Sequence, residues 1–284
     1  MKVALAQISP HLGNIKKNRE LHLQTIDRAR RENVRLLIFP ELSLTGYLLR
    51  DLIENAALDP KKSALFRELR SLSRDIALVV GFVEEKPGEK GLFYNSAAFL
   101  AKGKILHIHR KVFLPNSGMF EEARFFAQGR NFGTFATPYG NMGLMICRDF
   151  LHYNSSYLLF AGGCEVIIVI SAAPGRGLSG EKGFATSRMW ELMGEAMARF
   201  SQAYVIYCNR VGFEDGIVFA GGSFVFSPMG KLLGQAAYFE KELLIRDIDM
   251  REVRKSRKNW PFKRDDKPEI TLEALKRIVH DYED

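Results

Sequence analysis

Cysteine is scarce in this chain: Cys147, Cys164 and Cys208 are the only three in 284 residues, and no two stand at Cys-x-x-Cys spacing. An odd, scattered set argues against a disulfide framework and against a zinc site built on thiolates, and it suits a reducing compartment. Long apolar runs are missing too, since none approaches the roughly 18 residues that a membrane-spanning helix needs. The opening MKVALAQISP has one lysine before a short apolar stretch that Gln7 interrupts, which is not the long apolar core of a secretory signal. A cytoplasmic protein without a membrane partner is the expectation. No Pro/Gly/Ser-rich linker, low-complexity block or internal repeat is present, so a single domain over 1–284 is expected.

Aromatic residues are sparse where positive charge is dense. The net charge is +8, with much of the excess in residues 28–35 and 251–264; the first run has no aromatic residue and the second only Trp260 and Phe262. That is a thin basis for stacking nucleobases, so these runs read as solvated basic faces and no nucleic-acid partner is expected.

What is present is a core. Hydrophobic residues make up 46% of the chain, and their spacing alternates between two periods. KVALAQIS reads as a strand, residues 14–33 as a helix, and VRLLIFPE as a strand covered on both faces. A helix around 61–74 and the buried strand IALVVGFVEE follow. Then come a hairpin, FYNSAAFLAKGKILHIHRK, turning at Lys102-Gly103, and a second, TFATPYGNMGLMIC, turning at Tyr139-Gly140-Asn141. Beyond these the pattern predicts a helix over 153–161, the strand VIIVISAA, a long helix over 184–202 and the strand AYVIYCNRVG. A third hairpin, SFVFSPMGKLLGQA, precedes the strand LLIRDID, a short helix from Met250, and an extended tail rich in proline and charge. The class is α/β with mixed strand directions, and two sheets, each covered outside by helices, accommodate both the hairpins and the helices.

Ligands of open α/β folds sit beyond the carboxyl ends of strands. Glu41 ends VRLLIFPE, Lys111 ends KILHIHRK and Cys147 ends MGLMIC. Each alone has a bland reading: a capping carboxylate, a solvated lysine, a core thiol. Together they form a set for acyl transfer. A thiol needs a base within reach, and attack on an amide or nitrile carbon creates an anion that an ammonium and a backbone N–H can hold. Among other candidates, His107 and His109 share one side of a strand without a third metal ligand nearby. Ser171, Ala172 and Asn209 end strands and are assigned to the substrate pocket, Asn209 with structural hydrogen bonding as an equal alternative. Arg148 is read as pairing with Asp149 or another carboxylate.

The blocks FPELSLTGY, HRKVFLPNSGMFEEARFFAQG and GLMICRDF, in that order, resemble the signature blocks of the nitrilase superfamily of carbon–nitrogen hydrolases. The likeness continues through VIIVISAAPGRG, NRVGFEDGIVFAGGS and RKNWPFKRDDKPEI. It implies a four-layer α-β-β-α sandwich and a Glu-Lys-Cys triad at Glu41, Lys111 and Cys147. It further implies a second glutamate, for which the spacing favours Glu122 over Glu121, and an oxyanion contact from the backbone N–H of Arg148. No metal or organic cofactor is implied. The lysine block is similar to that of the glutaminase domain of NAD synthetases, although the chain stops soon after the hydrolase fold and is expected to act without a synthetase domain. The departure is Arg148-Asp149 after the nucleophile, which keeps the Asp of many amidases and lacks the Trp-Glu of nitrilases proper. The resemblance therefore implies hydrolysis of a small linear amide or N-carbamoyl compound through a thioester. The alternatives are a nitrilase and a catalytically silent binding or scaffold member of the fold. It also implies a homodimer or larger homo-oligomer, with the tail from about 251 in the subunit contact.

Overall fold

The computed structural model describes residues 1–177 and 184–281. The strands are β1 (Lys2–Gln7), β2 (Leu36–Ile38), β3 (Ala77–Glu85), β4 (Phe93–Ala101), β5 (Lys104–Arg110), β6 (Thr134–Thr137) and β7 (Gly140–Ile146). They continue with β8 (Val166–Ser171), β9 (Tyr204–Asn209), β10 (Val211–Glu214), β11 (Ile217–Ala220), β12 (Phe224–Phe226), β13 (Leu232–Gln235) and β14 (Glu242–Asp247). Two six-stranded sheets result, ordered β14-β1-β2-β3-β4-β5 and β13-β12-β9-β8-β7-β6, with β10 and β11 as a separate hairpin. Each sheet has three parallel strands at its centre, β1-β2-β3 and β7-β8-β9, flanked by antiparallel ones.

The period of two along each strand decides the layers. On β8, Val166, Ile168 and Ile170 face inward with Val3, Leu5 and Ile38 of the other sheet, forming one core between the sheets. Their neighbours Ile167 and Val169 face outward onto Leu159, Trp190 and Ala198 of the helices Tyr153–Ala161 and Ala185–Ser201. On the opposite side, Ala4, Leu37 and Leu78 meet Ile26, Phe66 and Leu69 of the helices Ile15–Arg31 and Ala64–Leu72. Strands buried on both faces explain the near-continuous apolar runs. The architecture is the α-β-β-α sandwich the resemblance implied. No described helix is long and apolar enough to cross a membrane.

Three expectations change. VRLLIFPE is a strand only over Leu36–Ile38, because Pro40 has no N–H to donate and the chain turns before Glu41. GFEDGIVF, to which the sequence pattern assigned no element, is the hairpin β10–β11, turned by Asp215 and Gly216 with φ of 47° and 79°. The short helix expected from Met250 is Arg251–Asn259, but the tail after it, expected as extended, is helical over Phe262–Asp265 and Pro268–Asp281.

Candidate active site

Strand register places Cys147 and Lys111, and a loop brings Glu41 to them. In the second sheet Ile146 pairs with Ile170, and Ser171 with Asn209, so Cys147, one residue past β7, stands at the same rim as Ser171. Cys147 sits at φ +46°, in the left-handed region that a side chain with a Cβ seldom occupies, and opens the turn Cys147–Leu151. In the first sheet Ser96 pairs with Arg110, and the N–H of Lys111 donates to the Asn95 carbonyl at 2.9 Å. Glu41 reaches the same rim from the loop after β2. That loop is pinned to β3, since the Phe39 N–H donates to the Val79 carbonyl and the Leu44 N–H to that of Gly81.

Glu41 and Lys111 are buried side by side. The Lys111 ammonium donates to Glu41 Oε1 at 2.7 Å and to Glu122 Oε1 at 2.7 Å. Asn95 Nδ2 also donates to Glu41 Oε1, at 2.7 Å, and the Ala172 N–H donates to Oε2 at 2.7 Å. Glu122 accepts a further bond from the Tyr47 hydroxyl at 2.5 Å. Burial works against the Lys111 ammonium, yet the carboxylates of Glu122 and Glu41 outweigh it and raise the lysine above its ordinary range. Burial pushes Glu122 up to about 7, with the Lys111 charge opposing and Glu41 assisting. Loss of water pushes the Cys147 thiol up to about 12, the Glu41 carboxylate adding to the rise and Lys111 working against it. The thiol is thus protonated at neutral pH, with a carboxylate and an ammonium in its field.

The buried atoms Glu122 Oε2 and Asn95 Oδ1 have no hydrogen-bond partner among the described residues. Each such atom costs about 1–3 kcal/mol when unsatisfied. Both atoms belong to side chains that bond Lys111 or Glu41 through their other polar atom.

The outcome differs for the remaining sequence candidates. Glu122, not Glu121, is the glutamate at the lysine. Ala172 reaches the site through its N–H, whereas the Asn209 side chain is spent on backbone: its Oδ1 accepts from the Ala173 N–H at 2.9 Å and its Nδ2 donates to the Gly221 carbonyl at 3.0 Å. These bonds are the structural use that the sequence reading held as the equal alternative for Asn209. Arg148 has no carboxylate partner among the described residues. Asp149 is taken by the N–H groups of Val112, Phe113 and Ile146 and by His109 Nε2 at 2.8 Å. That carboxylate ties the segment after Lys111 to the turn that carries Cys147. Tyr47 and Asn95 were not singled out from the sequence; Tyr47 closes FPELSLTGY and Asn95 is the third residue of FYNSAAF, but only the folded loop after β2 and the pairing of β4 reveal their reach.

The carbon–nitrogen hydrolase family model matches residues 2–258. The glutamine-dependent NAD(+) synthetase of Acinetobacter baylyi is 33% identical over 253 residues, which cover 89% of this chain and 45% of that protein. The solved structure of a glutamine-dependent NAD+ synthetase from Acinetobacter baumannii is 32% identical with a TM-score of 0.75, over 86% of this chain and 44% of that one. The chain thus spans under half the length of these relatives. A carbon–nitrogen hydrolase from Helicobacter pylori G27 matches end to end, 98% of this chain and 99% of that one, at a TM-score of 0.83 and 26% identity. With its fold, its motifs and these relatives in agreement, the chain belongs to the carbon–nitrogen hydrolase family.

Proposed function

We propose that this chain hydrolyses the C–N bond of a small linear amide or N-carbamoyl compound through a thioester on Cys147. The observation that carries the reading is the convergence of Glu41, Lys111 and Glu122 on one another, with the thiol in their field. Because the thiol is neutral at rest, the nucleophile forms during attack: Glu41 takes the S–H proton as sulfur bonds to the carbonyl carbon. The carbonyl oxygen becomes an anion, held by the Lys111 ammonium and by the N–H of Arg148. One such donor contributes about 100- to 1000-fold to the rate where water is excluded. Collapse of this intermediate breaks the C–N bond as protonated Glu41 returns its proton to nitrogen, releasing ammonia or an amine. Water then attacks the thioester, Glu41 taking its proton, and the acid leaves as the sulfur is reprotonated. Glu122 holds Lys111 in place throughout. The Acinetobacter baylyi relative is named as glutamine-dependent, and glutamine carries a side-chain amide, which supports an amide over a nitrile here.

Ammonia release from a panel of ω-amides, N-carbamoyl compounds and nitriles tests the reading. Turnover of an amide or carbamoyl compound, lost in Cys147→Ala while the fold persists, is expected. Activity of that variant equal to wild type sinks the reading, and exclusive turnover of nitriles replaces it with nitrilase chemistry.

A further inference from the structure

Arg210 and Glu214 form a second buried ion pair. A buried pair of this kind is at best close to neutral for stability, because desolvation offsets the attraction. Its contacts point to another use. Glu214 Oε1 accepts two successive backbone N–H groups, from Tyr47 at 2.8 Å and Leu48 at 2.6 Å. An ionised carboxylate suits two donors presented side by side, since charge-assisted bonds are about twice as strong as neutral ones. The turn leading into Tyr47 is closed tightly around this carboxylate: a Cβ on Gly46 would lie 2.7 Å from Leu12 Cα and 3.2 Å from Glu214 Oε2. Arg210 is itself fixed, with its guanidinium carbon 4.3 Å from the centre of the Phe219 ring and a bond of 3.4 Å to the Pro10 carbonyl. The Tyr47 side chain emerging from that turn donates its hydroxyl to the very oxygen of Glu122 that receives Lys111.

We propose that the Arg210–Glu214 pair is a positioning device: it sets the backbone of Tyr47 so that the phenol holds Glu122 against Lys111. The proposal rests on the amide-hydrolase reading above. Neither residue touches the reacting atoms; the Arg210 charge also acts on Glu41 through the field, and combination with Tyr47→Phe separates the route through Tyr47 from that field.

The experiment is a mutant cycle in the full chain with the best amide of the panel, following kcat, KM and thermal midpoint. Arg210→Met combined with Glu214→Gln removes the pair without stranding a charge, and Tyr47→Phe removes the phenol. Each is expected to lower kcat about tenfold or more with KM changed less, since small misplacements of a positioned group cost up to about 100-fold. Combined, they are expected to cost little more than either alone, as residues acting in one chain are non-additive. If the double variant does not fold, Glu214→Gln alone takes its place in the cycle, and Arg210→Lys, which keeps a cation beside Glu214, is expected to retain most of kcat. Multiplying effects on kcat, or a lowered midpoint with kcat unchanged, overturns the proposal. Persistence of activity in Cys147→Ala overturns the hydrolase reading instead, and the rate of Cys147 alkylation across the same variants reports on the positioning without any substrate.

Discussion

A thiol pushed up to about 12 beside a carboxyl group pushed up to about 7 makes two demands on single residues. The first concerns Glu41. With sulfur protonated at rest, turnover needs a base in the attacking step, so Glu41→Gln is expected to lower kcat/KM by about 100- to 10,000-fold with the fold intact; steady-state kinetics check this. The second concerns Glu122, whose ordinary value of 4.5 rises to about 7 on burial. Below about pH 7 it becomes protonated and loses its hold on the Lys111 ammonium, so kcat/KM falls on the acid side. Stability runs the other way. Folding favours protonated Glu122, so its contribution is complete below about 4.5 and is lost as pH rises through about 7. Profiles of kcat/KM and of thermal midpoint against pH are therefore expected to slope oppositely between about 5 and 8, and Glu122→Gln to flatten both. Glu41, Lys111 and Cys147 were legible because each is a reactive type at the end of an apolar strand. Tyr47 and Asn95 were not, because a tyrosine and an asparagine in such places are usually packing or turn residues.

Among the elements, β3 determines where Glu41 stands. A Cβ on Gly81 would lie 2.4 Å from the Leu42 nitrogen, 2.6 Å from the Pro40 oxygen and 2.9 Å from the Glu41 carbonyl carbon. These are backbone atoms of the loop that carries the proposed base, and they have no flexible end to give. Gly81→Ala is expected to destabilise by about 1–3 kcal/mol through overpacking. It should also cut kcat by up to about 100-fold by shifting Glu41. Chemical denaturation separates the two effects: a rate unchanged at full folding would show that the loop yields without moving the carboxylate. Sequence pattern conveyed the strand but not this contact, since a glycine in a run such as VVGFVEE signals close approach without saying of what. Other elements were plainer. The helix Ala64–Leu72 and the turn at Lys102-Gly103 follow directly from period and turn chemistry. The hairpin β10–β11 was missed although Asp215-Gly216 is a strong hairpin signal, because the short flanking segments lack clean alternation and lie outside both sheets.

For the whole molecule, the layers were legible and the surface was not. Continuous apolar strands required helices on both outer sides, whereas nothing in residues 260–281 distinguished an extended arm from the helices found there. Those helices carry the last prediction. On Pro268–Asp281, Leu272, Leu275, Ile278 and Val279 lie at helical spacing on one stripe, and all are about half exposed, from 50% to 55%. The same region touches the helix Tyr153–Ala161, where the Tyr157 hydroxyl donates to Asp266 Oδ1 at 3.2 Å, and that helix exposes Tyr153 by 79% and Leu158 by 48%. Apolar side chains exposed on two touching elements are costly to leave in water. We propose that a second copy of the chain covers it, since a two-fold contact needs one patch that is complementary to itself and this patch joins two elements of the same face. Light scattering at micromolar concentration is expected to give at least a dimer. Leu275→Glu with Ile278→Lys is expected to release monomers with an unchanged thermal transition of the core. A wild-type monomer, or a dimer indifferent to both substitutions, would place the subunit contact elsewhere or remove it, leaving the stripe without a partner of its own kind.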